Sequence, residues 1–292
     1  MVVGCDNVYA MKNEGLSFIK LHNNELEVTF CTLGASIYSI KFLGKEMLLV
    51  PVNQDDYKLS NFYHGKTIGR LCGRIIKDNQ VILHGGKEGI SSRLFSYETY
   101  DNKIVFEYNS PDGESGCDGN FFLRVIYELD GSSLRMKYLA TVDKDCLVSL
   151  TNHSFFCLGE DSVDKLSIKM DSDKYLDIDD QMLPKEMLPL PKHYNFKKYV
   201  SFSKTGEIDN YFQVNDGIIY LKSKDVALEI EFDFPGTVIY TDNFVDNVNT
   251  TLTDKLTHRG VALEPQDNQL FRKTLRSGEN YERSMSYTFK KL

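Results

Sequence analysis

Apolar and polar residues alternate along many short stretches of this chain. The alternation is clear in residues 17–21, 26–30, 103–108 and 226–232. A period of two residues is typical of a β-strand with one buried face. Turn-forming residues separate the stretches, as Asp130-Gly131 does between two of them. The pattern predicts one all-β domain of antiparallel sheets over the whole chain.

Two other stretches are apolar almost throughout. Residues 146–150 and 260–266 have the composition of buried strands. The first leads into a group of hydrogen-bonding side chains that includes His153, and the second ends in Glu264, Pro265 and Gln266. Each apolar strand is therefore expected to hold one ionisable side chain rigidly at its end.

The middle of the chain, residues 160–215, is less regular. Residues 175–179 alternate like an edge strand, and Pro184, Pro189 and Pro191 argue against a central strand or a helix nearby. This part is predicted to cross over the mouth of the sheets.

Charge and composition exclude several classes of partner. The 292 residues carry a net charge of -8, which disfavours nucleic acid and anionic membranes. No apolar run is long enough to span a bilayer, and the first residues lack a signal-peptide pattern. The six cysteines form no CxxC pair, so we expect buried thiols in a reducing compartment. These features predict a cytoplasmic protein.

The placement of His153 and Glu264 suggests proton transfer. An imidazole and a carboxyl group that face each other across a bound molecule can move protons in both directions. Asp209, Arg74 and His84 are candidates for binding hydroxyl groups. Structural roles stay open for each of the five, from a core histidine and a strand-end glutamate to a surface arginine.

Other chemistries have weaker support. His84, His153, Asp209 and Glu264 include ligand types that zinc accepts, but no HExxH motif or Cys/His pair spacing occurs, and we expect no metal. The glycine-rich residues 64–90 lack the Gly-Lys-Ser/Thr of a phosphate loop. A serine hydrolase would need a Gly-x-Ser-x-Gly elbow.

Seven motifs resemble, in order, those of the aldose 1-epimerases, also called galactose mutarotases. The motifs are GRLCGRI at 69–75, LHGG from Leu83, SPDGESGCDGN at 110–120, TNHSFFCLGE from Thr151, IDNYF at 208–212, PGTVIYTDNF at 235–244 and GVALEPQ at 260–266. The family counterparts are GR-x-x-NRI, LHGG, SPDGEEGYPGN, TNHSYFNL, an Asp-His-x-Phe stretch, PGLQVYTGNF and GICLEPQ.

The resemblance implies a large antiparallel β-sandwich with a sugar-binding cleft on one face, and a mechanism without metal or organic cofactor. Glu264 would be the base that takes the C1 hydroxyl proton, and His153 the acid that protonates the ring oxygen. His84, Arg74 and Asp209 would hold the ring oxygen and hydroxyls. A charged carboxylate and an imidazolium fit these roles. The expected substrate is a free aldohexose, galactose or glucose, and the expected assembly a monomer or homodimer.

Three departures from the family pattern bear on the substrate. Gly73 stands where the family has Asn, and Val238 where it has Gln, so two amide contacts to the sugar are expected to be missing. The interval from Arg74 to His84 is also short, as if a hairpin were deleted. Polar groups set specificity in such clefts, so weakened or altered sugar selectivity is expected.

Two alternative functions stay open at this point. One is a carbohydrate-binding protein that kept the cleft but turns its ligand over weakly or not at all. The other is a sugar-phosphate epimerase, which would need a cationic pocket from Arg70, Arg74 and Arg93.

Overall fold

The structure is a computed structural model. It describes residues 9–12, 15–54, 57, 62–77, 79–246 and 248–292. Cys5, one of the cysteines expected to be a buried thiol, lies outside these residues.

The described chain is built almost entirely from β-strands. In chain order the strands are β1 (Tyr9–Lys12), β2 (Phe18–His22), β3 (Leu26–Cys31), β4 (Ser36–Phe42), β5 (Lys45–Glu46), β6 (Thr67–Ile68), β7 (Arg74–Lys77), β8 (Gln80–Leu83), β9 (Ser96–Thr99), β10 (Lys103–Ser110), β11 (Phe121–Asp130), β12 (Ser133–Val142), β13 (Cys146–Leu147), β14 (Thr151–Asn152), β15 (Phe155–Phe156), β16 (Ser167–Met170), β17 (Lys174–Ile178), β18 (Pro184–Pro189), β19 (Val200–Ser201), β20 (Asp209–Gln213), β21 (Ile218–Lys222), β22 (Val226–Phe232), β23 (Gly236–Tyr240), β24 (Val261–Gln266), β25 (Thr274–Leu275) and β26 (Asn280–Lys291). Single turns of 3-10 helix occur at Gly86–Glu88, Ile90–Ser92, Glu114–Gly116, Val163–Lys165, Lys192–Tyr194 and Phe202–Lys204.

Three sheets carry most of the strands. A ten-stranded sheet has the order β1-β9-β10-β11-β12-β26-β22-β21-β16-β19, and a six-stranded sheet the order β15-β24-β23-β20-β17-β18. A four-stranded sheet has the order β2-β3-β4-β5. Within these sheets, every pairing that the described residues form is antiparallel. The prediction of a large antiparallel β-sandwich is confirmed.

One large hydrophobic core lies between the sheets. Val125 and Tyr127 of the ten-stranded sheet belong to the same buried cluster as Phe212, Ile239 and Leu263 of the six-stranded sheet. Successive residues of a strand point to opposite faces. The residues next to Phe212, Ile239 and Leu263 along their strands therefore point away from the core, toward the outer face of the six-stranded sheet.

The predicted strand at residues 146–150 forms only in part. Its strand ends at Leu147, whose side chain is exposed, and Val148 and Leu150 are buried outside any strand. Ser149 instead forms a single bridge with Leu71. Apolar composition predicted the burial of this stretch correctly except at Leu147, and it did not predict the backbone pairing.

The prediction that residues 160–215 cross over the mouth of the sheets is wrong. These residues supply β16, β17, β18, β19 and β20, which are members of the two largest sheets. β17 lies between β20 and β18, so it is not an edge strand. The edge is β18, which begins at Pro184 and ends at Pro189, because an edge position tolerates the missing N–H of proline.

Arg70 is a structural residue rather than a binding residue. Its buried guanidinium donates five hydrogen bonds, to the Ser110 hydroxyl and to the carbonyls of Ser110, Pro111, Asp118 and Gly119, at 2.7 to 3.1 Å. Every N–H of the side chain is thereby used. Arg70 therefore has no N–H left for the phosphate pocket that the alternative function, a sugar-phosphate epimerase, would need.

We expect Arg70→Lys to lower the free energy of unfolding by about 3 kcal/mol, because an ammonium group leaves several buried carbonyls without a donor. Urea denaturation measures the change. Arg135→Lys is the matched control, since Arg135 is exposed and its ion pair with Asp130 lies on the surface, and it should change stability by less than about 0.5 kcal/mol. Equal effects of the two substitutions would contradict this role for Arg70.

Candidate active site

The register of β15 with β24 brings His153 opposite Glu264. Phe155 pairs with Ala262, and Phe156 with Val261. Continuing this antiparallel register by two residues sets position 153 against position 264. Directly opposed residues project from the same face of a sheet. Two side chains from distant parts of the sequence therefore meet without any special loop.

The same register extends across the six-stranded sheet. Glu264 pairs with Val238, and Val238 pairs with Tyr211. In the neighbouring row, Tyr240 pairs with Asp209. All these side chains line one cavity of about 190 Å³ on the outer face of the sheet. The floor of the cleft is therefore formed by rigid strands.

The imidazole and the carboxyl group are in direct contact and line the same cavity, so they do not face each other across a bound molecule as the sequence led us to expect. His153 Nε2 lies 3.3 Å from Glu264 Oε1, and both side chains are almost fully buried, with exposed fractions of 7% and 3%. His153 Nδ1 and Glu264 Oε2 have no hydrogen-bond partner among the described residues. Each group therefore has one polar atom left for a ligand.

Burial moves the two pKa values in opposite directions. It raises the pKa of Glu264 well above its ordinary value, with a further contribution from the negative charge of Asp209, while the charge of Arg74 acts in the other direction. Burial, helped by the nearby His64, lowers the pKa of His153 to about 3. When the pair holds one proton, these directions favour the carboxyl group over the imidazole as its site.

These directions are opposite to the charge states expected from the sequence. A charged carboxylate beside an imidazolium was expected, but a dry cleft disfavours both charges. With one proton on the pair, either residue can carry it. Only the favoured site of the proton differs from the expectation, and the two residues are the same.

Arg74 and Asp209 form an ion pair on the wall of the cleft. Arg74 Nη2 lies 3.3 Å from Asp209 Oδ2, and both side chains are half-buried. Arg74 opens β7, and the interval to His84 forms the short hairpin of β7 and β8. The sequence comparison treated this interval as a deletion, and the described part of it is a compact two-stranded element.

His84 sits where the chain turns out of that hairpin. Its φ is 56°, and Gly85 follows with a φ of 77°. The backbone N–H of Gly73 donates to His84 Nδ1 at 3.1 Å, so that nitrogen is an acceptor and Nε2 carries the proton of the neutral ring. Burial, followed by the charges of His153 and Arg74, lowers the pKa of His84 well below its ordinary value.

Three of the four residues considered as zinc ligands are neighbours. His84, His153 and Glu264 each offer one ligand atom, and these three atoms lie within 4.8 Å of one another. Two imidazoles and a carboxylate are a donor set that divalent zinc accepts, so these three residues could hold a metal. Asp209, the fourth, is paired with Arg74 instead.

Aromatic side chains surround the rim. Tyr63 contacts both imidazoles, with ring centroids 4.9 Å from His84 and 5.8 Å from His153. Phe244 stacks on Tyr240 and is 62% exposed. A flat apolar face open to solvent at the mouth of a polar cleft suits the non-polar face of a pyranose.

A sequence model of the aldose 1-epimerase family matches residues 17–288. The chain belongs to the aldose 1-epimerase family. Its named relatives are isomerases. It is 26% identical to human galactose mutarotase, with 92% of this chain and 93% of that protein covered, and 27% identical to an aldose 1-epimerase of Haemophilus influenzae, with 85% of each covered.

Solved structures agree on the fold of this aldose 1-epimerase family member. It is similar to a GalM/aldose epimerase homologue from C. elegans, with a TM-score of 0.86, 21% identity, and coverage of 95% of this chain and 100% of that one. It is also similar to galactose 1-epimerase from Lactobacillus acidophilus, with a TM-score of 0.84, 21% identity, and coverage of 98% and 99%.

All five residues singled out from the sequence line the same cavity in this family member. Sequence reasoning missed Tyr63, Gln269 and the amide of Gln266, which also line it. Gln266 closes the GVALEPQ motif, and its two-residue spacing from Glu264 could have indicated that both side chains lie on the same face of the strand. Nothing in the local sequence pattern marks Tyr63 or Gln269.

We expect the imidazole of His153 to stay neutral from about pH 8 to about pH 5, because burial lowers its pKa to about 3, and that of His84 to protonate at a lower pH than a free imidazole, because burial lowers its pKa too. Long-range ¹H–¹⁵N spectra of the ring nitrogens, assigned with His→Asn variants, measure this. The urea-unfolded chain is the control, and its histidines should titrate near about 6.5. A midpoint near that value for His153 in the folded protein would refute the expectation.

Proposed function

We propose that the protein is an aldose 1-epimerase that interconverts the α and β anomers of a free aldohexose, galactose or glucose. The observation that carries the proposal is the buried contact between His153 and Glu264 on the floor of a cleft. An acid and a base in contact can serve both proton transfers of ring opening. The family match over residues 17–288 supports the same reaction.

The reaction needs two proton transfers and one bond cleavage. Glu264 as carboxylate takes the proton of the C1 hydroxyl, and C1 becomes a carbonyl as its bond to the ring oxygen breaks. His153 as imidazolium gives its proton to the leaving ring oxygen. Rotation about the C1–C2 bond presents the other carbonyl face. The reverse steps then close the ring to the other anomer and return both protons.

The charge preference of the cleft supports this sequence of steps. Ring opening converts a carboxylate and an imidazolium into a carboxylic acid and a neutral imidazole. Burial raises the pKa of Glu264 and lowers that of His153, so the cleft favours the neutral pair that accompanies the open-chain aldehyde. The ion pair needed at the start is reached by moving one proton across the 3.3 Å contact.

Substrate binding is assigned to Arg74, His84 and Asp209. The Arg74–Asp209 ion pair offers N–H donors and carboxylate acceptors side by side, which suits a hydroxyl that both donates and accepts. His84 has its Nδ1 occupied by the Gly73 N–H, which leaves Nε2–H as a donor for the sugar. A cavity of about 190 Å³ suits a monosaccharide.

Glu264→Gln and His153→Asn should each slow enzymatic mutarotation at least about 100-fold, because each removes one proton-transfer group. Both should fold, since each places a neutral side chain where burial already disfavours charge. Polarimetry on freshly dissolved α-galactose and α-glucose measures the rate. Glu229→Gln and His22→Asn are the controls, because both positions are exposed. A near wild-type rate in either cleft variant would overturn the assigned roles.

A sugar-phosphate substrate has little support. Arg70 is fully engaged by backbone carbonyls, and Arg93 is paired with Glu114 at 2.8 Å. Of the three arginines considered for a phosphate pocket, only Arg74 lines the cavity, and Asp209 pairs with it. Cationic groups for a phosphate are therefore scarce in the cleft.

We expect glucose 6-phosphate to show a kcat/KM at least about 10-fold below that of glucose, because Arg74 is already paired with Asp209 and neither Arg70 nor Arg93 lines the cavity to offset the charge of the phosphate. Coupled assays that trap one anomer of each sugar measure the two rates. Spontaneous mutarotation of each sugar in the same buffer is subtracted as the control. Preference for the phosphorylated sugar would reverse the choice of substrate class.

The remaining expectations concern setting and assembly. Cys72, Cys146 and Cys157 are buried free thiols, which supports a reducing, cytoplasmic location. No helix in the part of the chain that the structure describes has the length and apolar character needed to cross a bilayer. A monomer or homodimer acting on a small sugar, without nucleic acid, is proposed. If the protein bound sugar without accelerating mutarotation, the alternative function of a carbohydrate-binding protein would replace the proposed one.

A further inference from the structure

The space beside Gly73 is filled by a side chain from the other end of the sequence. A Cβ atom built on Gly73 would lie 2.3 Å from Gln269 Nε2 and 2.4 Å from its Cδ. Real Cβ atoms do not approach other atoms so closely. The side-chain amide of Gln269 therefore occupies the volume in which a side chain at position 73 would begin.

The orientation of that amide is fixed by one hydrogen bond. The backbone N–H of Arg74 donates to Gln269 Oε1 at 3.3 Å. Because an N–H can only meet an acceptor, the other amide atom must be the NH₂ group. No hydrogen bond within the described part of the chain uses that Nε2. Gln269 lines the cavity, so the cavity gains a donor there.

A second amide lies nearby without partners. Gln266 is fully buried, yet neither Nε2 nor Oε1 of its side chain has a hydrogen-bond partner among the described residues. It lies two residues beyond Glu264 on β24, so it projects from the same face, and it also lines the cavity. A buried amide with both atoms unpaired is rare unless a ligand or water satisfies it.

We propose that Gln269 and Gln266 form an amide subsite that binds hydroxyl groups of the sugar. This inference rests on the proposed function, because it names the polar groups that select the hexose in the same cleft. The amide of Gln269 serves in place of a side chain that Gly73 lacks. Gln266 supplies an amide on the same strand as Glu264, where it pairs with Gly236 while Glu264 pairs with the apolar Val238.

The subsite changes the expectation drawn from Gly73 and Val238. Two amides were expected to be missing from the cleft, and two amides from the segment that follows Glu264 line it. Gln269 carries its amide on a longer side chain and from a different direction than a residue at position 73 would. The cleft should therefore bind hexoses, but with a hydroxyl preference set by Gln266 and Gln269.

The proposal is tested by removing the amide at position 269 and then placing an amide at position 73. Gln269→Ala removes the amide and is expected to raise KM for the preferred hexose about 5-fold or more, with a smaller change in kcat. Gln269→Met, which keeps most of the volume but has no donor, should behave in the same way. The double variant Gly73→Asn/Gln269→Ala places an amide in the vacated space, and Asn tolerates the φ of +78° at that position. It should recover KM to within about 3-fold of wild type.

The matched control is Gly73→Ala/Gln269→Ala, which refills the space without an amide and should stay as weak as Gln269→Ala. Galactose and glucose binding by calorimetry is measured in parallel, together with a set of deoxyhexoses. The Gln269→Ala variant should bind the deoxy sugar that lacks the contacted hydroxyl almost as tightly as it binds the parent hexose.

The outcomes separate this subsite from the proposed function. Unchanged KM and Kd in both Gln269 variants would overturn the subsite while wild-type mutarotation stands. If the wild-type protein binds hexoses without interconverting them and Gln269→Ala weakens that binding, the two results together would overturn the enzymatic function and support the subsite. A wild-type protein that neither binds nor interconverts hexoses would overturn both.

Discussion

Backbone pairing between β15 and β24 is the constraint on which the site depends. It sets an imidazole against a carboxyl group whose positions in the sequence are far apart, His153 and Glu264. A register shift of one residue would turn Glu264 into the core and bring Leu263 to the cleft. The pairing is held by a fully buried strand, β24, with β23 on its other side. The site is rigid because it is part of a sheet.

Burial then decides the chemistry of the pair. Glu264 and His153 are almost fully buried, and the apolar Val238 lies directly opposite Glu264 on β23. Burial disfavours charge on either group, so it raises the pKa of the carboxyl group and lowers that of the imidazole. Asp209 reinforces the effect on Glu264, and Arg74 limits it.

The strands with clean alternation, such as β3, β10 and β22, could be predicted because each has one buried face and one polar face. His153 and Glu264 could be predicted because each follows an apolar stretch and belongs to a motif. Charge states could not, because they depend on how completely the folded sheet excludes water. β17 was misjudged because its neighbour on the edge side, β18, has a polar and proline-bounded sequence.

Gln269 shows a different limit of sequence reasoning. Its amide fills the space beside Gly73, and the two positions are brought together only by the folded sheets. A glycine in a motif indicates a positive φ or a close approach, but it does not name the atom that approaches. The hydrogen bond from Arg74 N–H to Gln269 is likewise a long-range contact that no local pattern encodes.

The near-complete exclusion of His153 and Glu264 from solvent has a consequence for the medium around the enzyme. Free hexoses mutarotate in water with the help of whatever acids and bases the solution contains. In the mechanism proposed above, protons pass between the sugar and two side chains that are only 7% and 3% exposed and that the bound sugar would cover further. The catalysed rate should therefore be insensitive to buffer concentration at constant pH, whereas the spontaneous reaction beside it is not.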